Sequence, residues 1–311
     1  MKRKMLNVPK GGYDGMKGFT IVEFLVAGLL SIIVLIAVVS SYFTSRKLND
    51  AANERLAIQQ DLRNAATLIV RDARMAGSFG CFNMSEHTEK DVVFDVAQKN
   101  RPFSLKGSSA NKLIPIAESL NIGYQGFAQV RPALIFQYGI DDVNASAETT
   151  VVSSCGVISK PGEQIPTLED AKKELKIQNS GKEQNGNIAR QRHVVNAYAV
   201  GRIAGEEGLF RFQLDDKGKW GNPQLLVKKV KRMDVRYIYV SGCPEDAGKE
   251  EQFKYTDKFD KSRDAVTPAG VEVLLDSGLD AKIAASSDNS IYAYRINATI
   301  RGGNVCANRT L

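Results

Sequence analysis

From Phe19 to Phe43 nearly every position is apolar, and the run carries a single charge, Glu23. At a helical rise of about 1.5 Å per residue, such a run crosses a hydrocarbon core roughly 30 Å thick. Residues 19–43 are therefore predicted as a membrane-spanning helix. From Thr44 to Ala76 the pattern stays helical but becomes two-sided. Leu48, Ala51, Ala52, Leu56, Ile58, Leu62, Ala66, Ile69, Val70, Ala73 and Ala76 gather on one face at about 100° per residue. Asp50, Asn53, Glu54, Gln60, Asp61, Asn64, Arg71 and Asp72 are assigned to the other. No proline interrupts the span, so one helix of roughly 85 Å is expected to run to Gly77. Its two-sided half, residues 44–76, needs a sheet to lie on.

Beyond Gly77 the period changes to two. Short β-branched or aromatic runs bounded by polar turns predict strands at Asp91–Val96, Ala133–Tyr138, Thr149–Ser153, His193–Gly201, Gly208–Leu214, Met233–Val240, Val271–Leu275 and Ser290–Arg301. Helices do not alternate with these runs, which argues against a doubly wound sheet. The predicted fold class is α+β, a long N-terminal helix on an antiparallel sheet with large loop insertions, the β-rich domain covering 77–311. Thr167 and Asp170 mark the start of a short surface helix to about Ile177. Asn179–Asn187 and the charged stretch Glu245–Thr267 read as loops. Val227, Val230 and Met233 recur every third residue before Val235, Tyr237 and Tyr239 alternate, which predicts a helical turn feeding a strand.

The junction Lys17-Gly18-Phe19-Thr20-Ile21-Val22-Glu23 resembles the prepilin signature of type IV pilins and type II secretion pseudopilins. That family has a basic leader, a glycine, a phenylalanine, an acid four residues later and a long apolar helix. The resemblance implies that residues 1–18 are a cytoplasmic leader, cut by a prepilin peptidase between Gly18 and Phe19, and that the new amine of Phe19 is N-methylated. It also implies that Glu23 pairs with the terminal amine of a neighbouring subunit during assembly. An unpartnered acid inside a bilayer is expensive. An ordinary signal anchor would explain Glu23 as a first-turn acid at the interface, but leaves Gly18 without a reason. The segment from Arg71 through Asp72, Met75, Ala76, Gly77 and Phe79 to Cys81 is similar to PilW-type minor pilins, as is the turn-to-strand stretch Leu225–Tyr239. A minor pilin that primes a type IV pilus and sits near its tip is the expected function. Its implied partners are other minor pilins, the major pilin and a tip adhesin; its implied place is the inner membrane, the C-terminal domain periplasmic, and later the pilus surface. The alternatives are a J-type pseudopilin and a signal-anchored periplasmic binding protein or enzyme.

Charge sharpens the topology. The formal net charge is +7, yet without Lys2, Arg3, Lys4, Lys10, Lys17 and Asp14 of the leader the chain keeps 37 basic and 34 acidic side chains. Clustered positives before an apolar helix place the leader on the cytoplasmic side. The basic run Lys228–Arg232 is read as the solvated side of a turn, and no nucleic-acid partner is expected. Cys81, Cys155, Cys243 and Cys306 all follow the membrane segment, where disulfides form. Three pairings are possible; Cys81 with Cys155 and Cys243 with Cys306 staples each half separately and is preferred. No metal pattern is present around the cysteines, and His87 and His193 join no nucleophilic constellation. Asn-x-Ser/Thr sequences, as at Asn83, are read as chance. Neither a phosphate loop nor a metalloprotease motif occurs. No enzyme, cofactor or metal is expected.

Overall fold

The computed structural model describes residues 18–93, 112–161, 170, 173, 175, 188–241, 252–259, 266–276, 294–301 and 303. One helix, α1 (Ile21–Met75), occupies 55 residues without a break. The chain divides into two units, Met1–Ala57 and Ile58–Leu311. In the first, every described residue is exposed, including Leu48 and Leu56. The buried stripe of the two-sided segment thus begins at Ile58, not at Thr44. Within the described residues this helix is long and apolar enough to cross a membrane, and its apolar half has no protein packed on it.

In the second unit the chain forms fifteen described strands. In order they are β1 (Ser78–Phe79), β2 (Phe82–Asn83), β3 (Val92–Val93), β4 (Ile116–Ser119), β5 (Phe127–Gln129), β6 (Ala133–Ile140), β7 (Thr150–Ser153) and β8 (Ile158–Ser159). There follow β9 (Ala189–Ile203), β10 (Glu206–Leu214), β11 (Trp220–Lys228), β12 (Arg232–Ser241), β13 (Gln252–Thr256), β14 (Gly270–Asp276) and β15 (Tyr294–Thr299). They make a nine-stranded sheet around β9, a four-stranded sheet ordered β13-β12-β14-β15, and the small β1–β2 pair. All described pairings are antiparallel except β3 with β8. The class is α+β with an N-terminal helix.

Ile58, Leu62, Ala65, Ile69 and Ala73 of α1, with Ala76 just beyond it, enter one core with Phe136, Tyr198, Val200 and Leu209 of the large sheet and Tyr237, Val273 and Ile296 of the small one. The helix therefore packs on both sheets. Tyr237 Oη donates 2.7 Å to Glu118 Oε1, tying β12 to β4; burial, then the Glu118 charge, raises the Tyr237 pKa. The other face of the large sheet holds Ile135, Ala197, Phe210 and Phe212 beneath Ile122, Tyr124 and Phe127. Covered on both faces, β6 is buried along almost its whole length, and so lacks the alternation of a half-solvated strand.

Turn chemistry sets the joints. Gly77 (φ +78) ends the helix, where a Cβ would stand 2.9 Å from Pro115 Cβ. Ala204 and Gly205 both have positive φ and close the two-residue β9–β10 hairpin, matching the primed turns that follow strand twist. Leu225–Lys228 is the end of β11 rather than a helical turn. Val227, Val230 and Met233 share a spacing of three because a strand end, a turn at Lys229 (φ +61) and a strand start each turn one side chain to the core. Lys228, Lys229, Lys231 and Arg232 are exposed around them. The stretch read as the loop Glu245–Thr267 contains β13, and β4, β5 and β11 also escaped the sequence reading. Residues 179–187 and most of the 167–177 helix lie outside the described residues.

Cys81 and Cys155 are bridged, linking the β1–β2 turn to the β7–β8 connection. The bridge stands beside a small core of Phe79, Phe82, Met84, Leu113, Val151 and Ile158. Cys243 and Cys306 lie outside the described residues. His193 on β9 is buried, with Nε2 3.2 Å from Gln137 Oε1, and burial lowers its pKa to about 3.

Two outcomes are expected in urea unfolding of the detergent-solubilised protein, followed through its one tryptophan, Trp220. Because the bridge spans 74 residues, replacing Cys81 and Cys155 by alanine lowers stability by up to about 4.5 kcal/mol in the chain-entropy account. An unchanged midpoint would mean that the bridge constrains nothing. Second, unfolded His193 binds a proton below about pH 6.5, whereas the folded residue does so only near 3. Between these values its contribution to stability falls on acidification by about 1.4 kcal/mol per pH unit, and His193→Gln flattens that slope.

Candidate functional site: two acids on one helix

α1 carries two acids in opposite settings. At its start, Glu23 Oε2 accepts from Thr20 N and Thr20 Oγ1, each at 2.9 Å, and Thr20 Oγ1 accepts from Glu23 N at 3.3 Å. This reciprocal capping box satisfies two donors that the first turn leaves open. All three bonds leave Glu23 Oε1 without a hydrogen bond among the described residues. Gly18 and Phe19 precede the box, with Phe19 90% exposed. A Cβ on Gly18 would find nothing within 4 Å, so packing does not ask for glycine there. Beyond it Phe24, Leu25, Val26, Leu30 and Val34 expose apolar surface on every side of the helix, as in a segment built for an apolar medium.

Asp72, one turn from the other end, is fully buried. The sequence reading set it on the solvated face, and the structure corrects that. Asp72 lies seven residues after Ala65 and three after Ile69, so helical geometry carries it into the buried seam. Its Oδ1 accepts from Tyr138 Oη at 2.9 Å and from Arg71 Nη2 at 3.2 Å. Its Oδ2 accepts from Tyr198 Oη at 2.6 Å and Asn196 Nδ2 at 2.8 Å, with Arg211 Nη2 at 3.6 Å. Strands β6, β9 and β10 thus converge on one carboxylate. Burial, then the Asp72 charge, pushes the Tyr138 phenol up to about 12; the same causes raise Tyr198 further. Both hydroxyls stay protonated and donating at neutral pH.

Of the residues singled out from sequence, Gly18, Phe19 and Glu23 are brought together at the helix start, and Cys81 meets Cys155. Tyr138, Asn196, Tyr198 and Arg211 were missed; they alternate with core residues in their strands, and only the run of seam positions ending at Asp72 marks where their partner lies. Among the described residues no three His, Cys, Asp or Glu side chains gather as metal ligands.

Asp72→Ala leaves two guanidiniums and three neutral donors without their shared acceptor, and is expected to destabilise the second unit by about 3–5 kcal/mol. Tyr198→Phe removes one hydrogen bond to a charged group and costs about 1.5–3 kcal/mol. Urea midpoints measured through Trp220 check both. Equal, small shifts for the two variants would show that Asp72 is not the hub.

Compared with models of protein families, with curated proteins and with solved structures, the chain matches none.

Proposed function

We propose that this chain is a minor subunit of a type IV pilus, of the PilW type, which primes fibre assembly through packing of its N-terminal helix and lies near the fibre tip. The observation that carries the reading is a single unbroken helix, Ile21–Met75, apolar and exposed on every side in its first half and seated on a β-rich domain in its second. Such a helix supplies a surface for stacking with copies of itself in a membrane, then in a fibre. Residues 1–18 act as the leader, residues 19–43 as the membrane part, and the domain after Gly77 makes lateral contacts with the other pilins and the tip adhesin. The prepilin peptidase cuts after Gly18, where a side chain would meet no obstacle from this fold, so the requirement for glycine belongs to the peptidase.

Glu23 has two duties in this scheme. Its Oε2 caps its own helix, while Oε1 is left to receive the terminal amine of a neighbour's Phe19. Removal of that partner would leave a charge unpaired in a poorly hydrated setting.

Glu23→Gln and Glu23→Ala separate the duties, since glutamine keeps a capping box and loses the charge. Each variant is expressed in place of the native chain, its membrane level is matched, and mass spectrometry verifies a mature terminus at N-methylated Phe19. Both variants are expected to reduce surface pili and co-purification with other minor pilins to a similar degree. Full assembly by Glu23→Gln, or a mature terminus elsewhere than Phe19, would defeat the reading.

A further inference from the structure

The second unit contains a cavity of about 330 Å³ between the last turns of α1 and strands β6, β9 and β10. Its lining includes three arginines, Arg71, Arg192 and Arg211, and the apolar residues Met75, Ile140 and Val194. Among the described residues no carboxylate lines it.

The charges around it do not balance. Arg71 and Arg211 share Asp72, and Arg192 Nη1 stands 3.5 Å from Asp142 Oδ2. Three cations are thus set against two anions. Arg211 is the least satisfied of the three. Its side chain is 9% exposed, yet the lone pairs of the nearer Asp72 oxygen are taken by Tyr198 and Asn196, which leaves Arg211 only a 3.6 Å Coulomb contact. Its Nη1 reaches Gln224 Oε1 at a long 3.4 Å, and its Nε is buried without an acceptor. A charged pair with full hydrogen bonds closes to about 2.7–2.9 Å. A buried guanidinium with five donors and one long bond calls for a further acceptor.

From this geometry we infer that the cavity binds a carboxylate carried on a short apolar group, its oxygens taken by Arg211 with Arg192 and Arg71, and its apolar part lying against Met75, Ile140 and Val194. One excess positive charge suits a monoanion, and the apolar walls disfavour a bare inorganic ion. The volume is at the lower end of small-molecule sites. A second hollow of about 390 Å³ shares Arg192, Gln213 and Leu214, so a longer ligand has room to continue. The C-terminal carboxylate of a peptide and a free branched-chain acid share this chemistry. The inference stands independently of the proposed role in pilus assembly.

Binding is read by isothermal titration calorimetry. The detergent-solubilised full chain is titrated with N-acetyl-leucine, its uncharged amide, and 4-methylpentanoate. N-acetyl-leucine is expected to bind saturably and at least tenfold more tightly than the amide, and the affinity to fall with added salt. Tighter binding of N-acetyl-leucine than of 4-methylpentanoate identifies a peptide terminus; equal binding identifies a free acid. Arg211→Gln is expected to abolish the preference for acid over amide. Because Arg211 also touches Asp72, Arg192→Gln, which leaves that hub intact, is measured beside it and is expected to weaken acid binding at least threefold. No saturable binding of either acid, or equal binding of N-acetyl-leucine and its amide, would overturn the inference.

Discussion

A single buried carboxylate governs how the helix sits on the sheet. Desolvating Asp72 is expensive, by several kcal/mol for an ion in a protein interior, and the fold meets that cost with hydrogen-bond donors from β6 and β9 and the nearby charge of Arg211 on β10. Apolar packing alone leaves a helix some freedom to slide or roll, since Ile58, Leu62 and Ile69 could be accommodated in neighbouring grooves at modest loss. A carboxylate does not allow this. A shift by one residue rotates the helix by 100° and carries Asp72 away from Tyr138, Asn196 and Tyr198 together. The interaction selects one docking register rather than adding stability beyond what a hydrophobic replacement would give, the role best attested for buried polar groups.

The same backbone carries two kinds of helix surface. Its first half has no preferred side, consistent with an apolar solvent or with packing against like helices. Its second half narrows to the seam that ends at Asp72 and Ala76. No glycine or proline marks the change at Ala57, and the boundary is written only in side chains.

What could be read from the chain follows from these facts. Residues 19–76 were legible because a long apolar run and a 3.6 period are strong signals, and the strands of β7, β10, β12 and β14 were legible because β-branched residues, or in β10 the phenylalanines Phe210 and Phe212, cluster there. The seam was read too broadly, because Leu48, Ala52 and Leu56 fit the period but have no sheet beneath them. Asp72 was assigned by its chemistry rather than its position, which is how a polar residue hides within a buried stripe. β11 was obscured by Gly221, Asn222 and Pro223 in its first half, residues that weaken strand propensity, and β13 by its short, charged surroundings. Nothing local announces a hub assembled from residues 66, 124 and 126 positions away along the chain.

The hairpin closed by Ala204 and Gly205 carries an implication for the order of events when the chain first folds. Strands β9 and β10 are adjacent in sequence and zip residue against residue through eight pairs, Glu206 with Ile203 to Gln213 with Asn196. Every other partner of β9 is distant, and the helix that must lie on it is made more than a hundred residues earlier. Local contacts form before remote ones because closing long loops is entropically slow. The helix thus leaves the ribosome well before any surface exists to receive its apolar seam, and the locally closed β4–β6 and β9–β10 ribbons are the first elements able to offer one. During that interval the exposed seam is open to wrong associations, so this protein is expected to depend on being sheltered until its middle third has been synthesised.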